Sequence, residues 1–538
     1  MSGHPPQEPQ DPTGIPEGVA TRSRASARVG GGILLSRISG LVRERAFAHF
    51  FGASPVADAW RAALRMPNVL QNLLGEGTLS ASFIPIYSEL LEEKREEEAA
   101  RFAGAIFGLL TMVAGILAFL GILLAPILVG IFFMGFDAER QALTVALVRV
   151  LFPMTALLVV SAWALGILNS HRRFFLPYVA PVAWNGAMII ALVGGAVGWG
   201  ISGEALVRAM AWGALVGGGL QLGVQLPLAL RLLGEFRPTV SFDVFGVREA
   251  IRNFVPVLMA RGVVNLSGWL DYALAAFLAA GAVASLGYAQ TLYVLPISLF
   301  GMSVAASELP ELSRRRGEAL DELSGHVGAG MERVSYFLIP SALAYLVLGD
   351  VVVAALYQTG AFGPAEVLVT WGVLAAYSLG MPASAQSRLL SSAFYAIRDT
   401  RTPARTAYVR VALSLGAGLA LMFPLDRISV GPFGLGAAGL ALGASIAAWT
   451  ELLLLRRALG RRIGPHGPGG SVLLRHVCAA ALATGGAVGG RLLLPPVGPV
   501  LEAAGTLLPF LGVYLLATAA FGVAAPIQSL LSRHGSPS

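Results

Sequence analysis

Residues 36–89, SRISGLVRERAFAHFFGASPVADAWRAALRMPNVLQNLLGEGTLSASFIPIYSE, decide the fold. Long Ala/Leu/Val/Gly segments flank this stretch, yet within it Arg37, Arg43, Arg45, Arg61 and Arg65 interrupt two hydrophobic helices. An arginine in the middle of a membrane helix costs roughly 3 kcal/mol on insertion scales. Such side chains must face water, a protein partner or an anionic ligand. The rest of the chain reads as a scaffold that holds a positively lined chamber in the bilayer.

With 538 residues, 55% of them hydrophobic and only 13% charged, and a mean hydropathy of +0.70, the chain is too apolar for a soluble protein of this size. It reads as an all-α integral membrane protein. The net charge of +7 would suggest nucleic acid in a soluble domain, but the basic residues sit in short loops between apolar runs, as membrane topology requires. No nucleic-acid partner is implied. The single cysteine, Cys478, can support neither a disulfide framework nor a thiolate metal cluster, and is expected to be a small buried apolar residue. Residues 1–26 are rich in Pro, Gly and polar side chains and lack the apolar core of a signal peptide, which predicts a disordered cytoplasmic tail anchored by Arg22, Arg24 and Arg28.

Apolar runs of about 20 residues, enough to span about 30 Å, can be placed fourteen times. The expected spans are 27–50, 57–90, 100–134, 141–169, 176–198, 204–232, 247–280, 283–312, 325–357, 365–396, 404–424, 434–457, 472–494 and 502–531. Connections on the side of the amino terminus carry basic clusters such as Lys94-Arg95, Arg172-Arg173, Arg314-Arg315-Arg316 and Arg461-Arg462, whereas the opposite connections carry Arg140, Arg427 and Arg491. The positive-inside rule makes the first side, and both termini, cytoplasmic. The outward connections, such as Gly52-Ala53-Ser54-Pro55, are too short for a catalytic domain. Activity is expected between the helices.

An internal echo divides the chain. Pro67 and Pro85 of the second span, followed by IYSEL, resemble Pro296 and Pro310 of the eighth, followed by ELSRR. The expected layout is a six-helix lobe over 27–232, a second over 247–457 around a midplane cavity, and a helix pair over 472–531. Chance recurrence of proline is the competing explanation.

Arg37 and Arg43 lie deepest in the first helix and are candidates for binding phosphate oxygens, which a guanidinium fork fits well. Internal pairing with Glu44, Asp58 or Glu76 is the alternative, and Arg45 could simply reach an interface. Asp58, Arg61 and Arg65, at i, i+3 and i+7, form one stripe that cannot face lipid. Asp58 is expected to pair with Arg61 near the outer rim, leaving Arg65 the freer cation. Gly75-Glu76-Gly77 interrupts the same span, either as a hinge or for close helix packing. In the seventh span Arg261 is a further cavity cation, and Asp271 is either a site for a coupling cation or proton or an ordinary ion-pair carboxylate. Arg388 could close the chamber from the second lobe, and Arg410 is expected to reach an interface.

Enzyme signatures are absent: the seven histidines form no HExxH pair, and there is no P-loop or GxSxG elbow. The last two spans hold almost no charge apart from Arg491. Such a pair offers nothing to a polar head group but could offer a groove to a hydrocarbon tail.

SRISGLVRERAFAHFFGAS, DAWRAALRMPNVLQNLLGEGTLSASFIPIYSE, LYQTGAFG and AFYAIRDTRTPAR resemble the corresponding stretches of the MurJ (MviN) family of lipid II flippases, within the multidrug/oligosaccharidyl-lipid/polysaccharide exporter superfamily. The likeness runs from about Ala27 through the twelfth span. It implies fourteen helices in the bacterial inner membrane, two six-helix lobes around a cationic cavity, a carboxy-terminal groove for the undecaprenyl tail, and movement of the peptidoglycan precursor to the periplasmic leaflet by alternating access. By position it implies roles for Arg37 and Arg43 and for the carboxylates Asp58 and Glu76, with Glu44 in place of a usual aspartate. The implied partners are lipid II, membrane lipids and cell-wall synthesis proteins; no cofactor is implied beyond a coupling cation, Na+ or H+, or the membrane potential.

Two departures stand out. Where the family commonly has arginine in LRRIF this chain has Gln71-Asn72, and where it commonly reads YADR this chain reads Tyr288-Ala289-Gln290-Thr291. Arg61, Arg65 and Arg261 are the neighbouring cations that could replace that charge. Polar residues proposed to bind sodium in some members are not matched in SLGAGLALM of the eleventh span. Rival readings are a flippase for another polyprenyl-linked glycan, a drug/cation antiporter, which should present acidic residues in its cavity, and a non-transporting cell-wall scaffold.

Overall fold

The computed structural model describes residues 17–301, 320–397 and 399–524. Sixteen α-helices lie among them: α1 Glu17–Phe51, α2 Pro55–Leu74, α3 Glu76–Ser82, α4 Ile84–Glu92, α5 Glu96–Phe132, α6 Ala138–Ser170, α7 Phe175–Val193, α8 Gly203–Leu233, α9 Val247–Ala275, α10 Ala282–Pro296, α11 Leu320–Tyr357, α12 Pro364–Ala396, α13 Arg401–Asp426, α14 Gly436–Ile463, α15 Gly470–Leu493 and α16 Pro499–Ala520. Short π-helical turns continue α7 over Gly194–Gly198 and α10 over Ile297–Gly301. A two-residue hairpin, Ser429–Val430 with Phe433–Gly434, joins α13 to α14.

Eleven helices of the described residues are long and apolar enough to cross a membrane: α5 to α8 and α10 to α16. On α5, Met112, Ile116, Phe119, Leu123, Ile127 and Ile131 are exposed at helical spacing, an apolar stripe suited to hydrocarbon. The other expected spans, 27–50, 57–90 and 247–280, are also helical, and they are the ones the arginines make less apolar. The first helix begins at Glu17, ten residues before the expected span, because VATRSRASAR lacks a helix breaker.

The expected span 57–90 is not one helix. Ser54 caps α2 by accepting the Ala57 N–H at 3.3 Å, and Pro55 opens it with a preset backbone. The helix ends where Gly75 turns extended (φ −86°, ψ −152°). A Cβ there would stand 2.3 Å from the Gln71 carbonyl oxygen, so the break requires glycine. The chain restarts as α3 and breaks again at Phe83 before α4. The interruption expected at Gly75-Glu76-Gly77 is thus a real unwinding. The side chains of Glu76 and Arg261, and Pro310 of the proline echo, lie outside the described part of the structure.

Helices α1, α2 and α5 to α8 pack on one another, as do α10 to α14, and α9 touches members of both sets. Small residues make these contacts close, since apolar area alone drives little association in lipid. On α14, a Cβ at Gly443 would meet the Gly418 nitrogen of α13 at 2.5 Å, and one at Gly439 would meet the Leu421 backbone at 2.7 Å. We expect Gly443→Ala to push these backbones apart at a cost of about 1–3 kcal/mol; thermal unfolding in detergent should show a lower midpoint, and an unchanged midpoint would contradict the packing.

Helices α15 and α16 lie against α11, with Ala479, Ala480, Ala483, Phe510 and Tyr514 meeting Tyr336, Ala344 and Leu348. Arg491 secures one end of the pair by bonding Asp350 of α11 and Glu502 of α16, each at 2.8 Å. Cys478 is exposed, not buried as expected, because α15 turns its alanines toward α11 and leaves the thiol on the opposite face. In the α12–α13 turn Asp399 accepts the Thr402 hydroxyl and backbone N–H and pairs with Arg462 at 2.6 Å; these bonds hold its carboxyl down at about 2.

Candidate functional site

A cavity of about 420 Å³ opens where α1 and α2 face α9 and α10. From α1 come Arg37, Arg43 and Glu44; from α2 come Arg61, Arg65 and Asn68; Tyr272 lies on α9, and Gly287, Gln290 and Thr291 lie on α10. Among the described residues, four guanidiniums against one carboxylate leave the lining strongly cationic. Four of the six cations picked from the sequence therefore converge.

They are not equivalent. Glu44 is the hub: its Oε1 accepts from Arg43 at 2.6 Å and its Oε2 from Arg61 at 2.5 Å, with Glu44 5% and Arg61 8% exposed. Arg61 also stacks over the rings of Tyr288 and Phe47, at 4.7 and 5.2 Å. Arg43 donates its other fork to Asn185 Oδ1 at 3.0 Å and lies over Trp184; Asn185 in turn donates to Ser39. One carboxylate thus fixes two arginines while neutralising only one charge. Among the described residues Arg37 has no ion pair, and Arg65 has none either, lying over the Tyr272 ring at 4.9 Å.

The expected Asp58–Arg61 pair does not form. Asp58 is fully buried and caps the N-terminus of α10, accepting the N–H groups of Gly281 at 2.7 Å and Ala284 at 2.8 Å, with the Arg140 guanidinium at 3.5 Å. Free N–H groups at a helix start suit a carboxylate better than a side chain three residues away that has its own partner. The bonds join the first half of the chain to the second, as do Ala361 N–H to the His49 carbonyl at 2.8 Å and Tyr288 OH to the Gly52 carbonyl at 2.9 Å. Asp58→Ala would strand these donors and is expected to cost about 2–4 kcal/mol. Asp58→Asn, which keeps one acceptor, should cost less, a ranking that chemical denaturation in detergent can check.

Other sequence expectations change as well. Arg45 donates to the Ala355 and Leu356 carbonyls in the last turn of α11, at 2.6 and 3.0 Å. Arg410 pairs with Glu451 at 2.7 Å. Arg388 is exposed on α12 and does not line this cavity. Asp271 has Arg65 and Arg410 as its charged neighbours. Missed altogether were Asn185, Trp184 and Tyr272, and Gln290 was noted only as a departure from the family pattern. A polar or aromatic residue inside an apolar span was the available signal, shared with many residues that only pack. Tyr272 donates to Gln290 Oε1 at 3.2 Å and Gln290 to the Tyr377 hydroxyl at 3.0 Å, a neutral wall that starts beside Arg65.

Chemically the cavity can bind an anion with several oxygens and hydrogen-bond a polar, uncharged portion beside it. Among the described residues no three His, Cys, Asp or Glu side chains converge to hold a metal.

The profile of the family described as "Lipid II flippase MurJ" matches residues 47–494. A probable lipid II flippase MurJ of Rhizobium meliloti is 33% identical over 440 residues, 80% of this chain and 79% of its own length. The lipid II flippase MurJ of Burkholderia cenocepacia is 32% identical over 472 residues, 86% and 89% of the two chains. Among solved structures, a lipid II flippase MurJ in an inward closed conformation superposes with a TM-score of 0.76 at 23% identity, covering 92% of this chain and 98% of its own. An inward-facing multidrug resistance MATE family transporter of the MOP superfamily gives 0.62 at 16% identity, covering 82% and 98%.

Proposed function

The chain belongs to the lipid II flippase MurJ family, and from that premise we propose that it carries undecaprenyl-diphosphate-linked peptidoglycan precursor from the cytoplasmic to the periplasmic leaflet of the bacterial inner membrane. It is a multi-pass membrane transporter and not an enzyme. The observation that carries the reading is the cavity lined by Arg37, Arg43, Arg61 and Arg65 against the single carboxylate of Glu44. A diphosphate matches that excess of fork-shaped donors, and the neutral Tyr272–Gln290 wall suits the sugar.

In this reading α1, the broken α2–α4 segment and α9 also cross the bilayer, completing fourteen spans with both termini cytoplasmic. The helices form two six-helix lobes, 27–232 and 247–457, that rock about the cavity. The helix pair over 472–531 guides the undecaprenyl tail while the head group changes sides. The contacts of Asp58, His49 and Gly52 with the second half lie at the end to which the sequence assigns the periplasmic connections, which favours a state closed outward. Transport needs only that the two states bind the head group differently. Asp271, beside Arg65 and Arg410, is the candidate group for coupling to Na+, H+ or the membrane potential.

A flippase for a different polyprenyl-linked glycan is the second reading, favoured by Thr291 in the cavity wall where the family resemblance leads one to expect arginine. Expression in cells depleted of their own lipid II flippase separates the two. Restored growth supports lipid II as cargo, and lysis despite normal membrane levels opposes it.

A further inference from the structure

Helix α2 carries Arg61 and Arg65 one turn apart, and each lies against a glycine of a helix from the other half. A Cβ on Gly287 of α10 would stand 2.9 Å from both Cδ and Nε of Arg61. A Cβ on Gly268 of α9 would meet Nη2 of Arg65 closer still. The two cases differ in what holds the arginine. Arg61 is clamped by Glu44, so its place would survive a looser surface beneath it. Arg65 makes no ion pair among the described residues, Asp271 being its charged neighbour without a salt bridge, and its buried Nε, like that of Arg61, has no hydrogen-bond partner there. What its fork lies against is the bare backbone of Gly268 beneath and the Tyr272 ring beside it.

We propose that Gly268 is a positioning residue for substrate, a socket that lays the Arg65 guanidinium along α9 with its uncommitted donors toward the cavity, where they grip the diphosphate. The inference rests on the flippase reading and deepens it by naming what aims one of the gripping cations. Socket and cation come from different halves, so the grip depends on how the halves are placed. A rocking motion that draws α2 away from α9 releases Arg65 from the socket and weakens its hold on the anion.

The atom in the way of a new methyl group is the far end of a flexible side chain, so Gly268→Ala should displace the guanidinium without disturbing the helices. Binding of lipid II to the full-length protein in nanodiscs should weaken about tenfold in Gly268→Ala, the equivalent of one charge-assisted hydrogen bond, with the melting midpoint unchanged. The same substitution in an Arg65→Ala background should cost nothing further, because a socket without its cation has no role. Wild-type affinity in Gly268→Ala, or an equal loss with and without Arg65, overturns the inference alone. No saturable lipid II binding by the wild type overturns the flippase reading and the inference with it.

Discussion

Arg43→Ala is expected to give a protein that reaches the membrane at normal levels and fails to sustain growth when the host's lipid II flippase is depleted. The two parts of that result have separate causes. Arg43 is one of two arginines on Glu44, and the Arg61–Glu44 pair survives its removal, so no buried carboxylate is left unpaired. What disappears is a guanidinium held in the cavity by Asn185, Glu44 and the Trp184 face. An arginine fork donating two charge-assisted bonds to a diphosphate contributes about 3 kcal/mol or more, a loss of roughly a hundredfold in affinity. Arg43→Lys should recover only part of this, because an ammonium keeps the charge but not the planar fork. Growth on depletion, read against an immunoblot of membranes, checks both parts; normal growth of the alanine variant would remove Arg43 from the substrate site.

Glu44→Ala is expected to fail differently, by destabilising the protein. Among the described residues its carboxylate is the only acidic group in the cavity lining, and it is the shared partner of Arg43 and Arg61. Without it two guanidiniums face each other in a site where Arg61 is nearly buried, with only aromatic faces to compensate. Removing one partner of a buried ion pair costs about 3–5 kcal/mol. The melting midpoint in detergent should fall clearly below that of Arg43→Ala, and membrane levels with it. Arg61→Ala combined with Glu44→Ala should recover part of the stability, since the uncompensated charge goes with its partner. A Glu44→Ala midpoint equal to that of the wild type would show the hub to be dispensable.

How much of this was legible in the sequence depended on whether the decisive partner lay nearby. Arg37, Arg43, Arg61 and Arg65 could be selected because a cation is out of place in an apolar run, and they line one cavity. The break at Gly75 was legible because glycine beside a charge is a local signal. Asp58 and Arg61 misled for the same reason: three residues apart on one helix, they invite pairing. Yet Asp58 bonds Gly281 and Ala284, and Arg61 bonds a carboxylate on another helix. The partners of Arg45 and Arg410, a carbonyl pair and Glu451, come from distant parts of the chain and could not be read locally. The face of α15 that meets α11 is set by which alanines interlock, which a uniformly apolar run does not encode, and so Cys478 was misplaced. Asn185 and Tyr272 gain their meaning only from the arginines placed beside them.

The central claim is that these guanidiniums hold the diphosphate of a polyprenyl-linked head group as it crosses the bilayer. Its most direct test is translocation of fluorescent lipid II in proteoliposomes, followed by chemical quenching of the outward-facing label, with the wild type and Arg43→Ala reconstituted at equal density. The account predicts that the wild type exposes inner-leaflet lipid II well above the protein-free rate, while Arg43→Ala stays at that background. Equal rates for the two proteins, or a wild type no faster than empty vesicles, would contradict it.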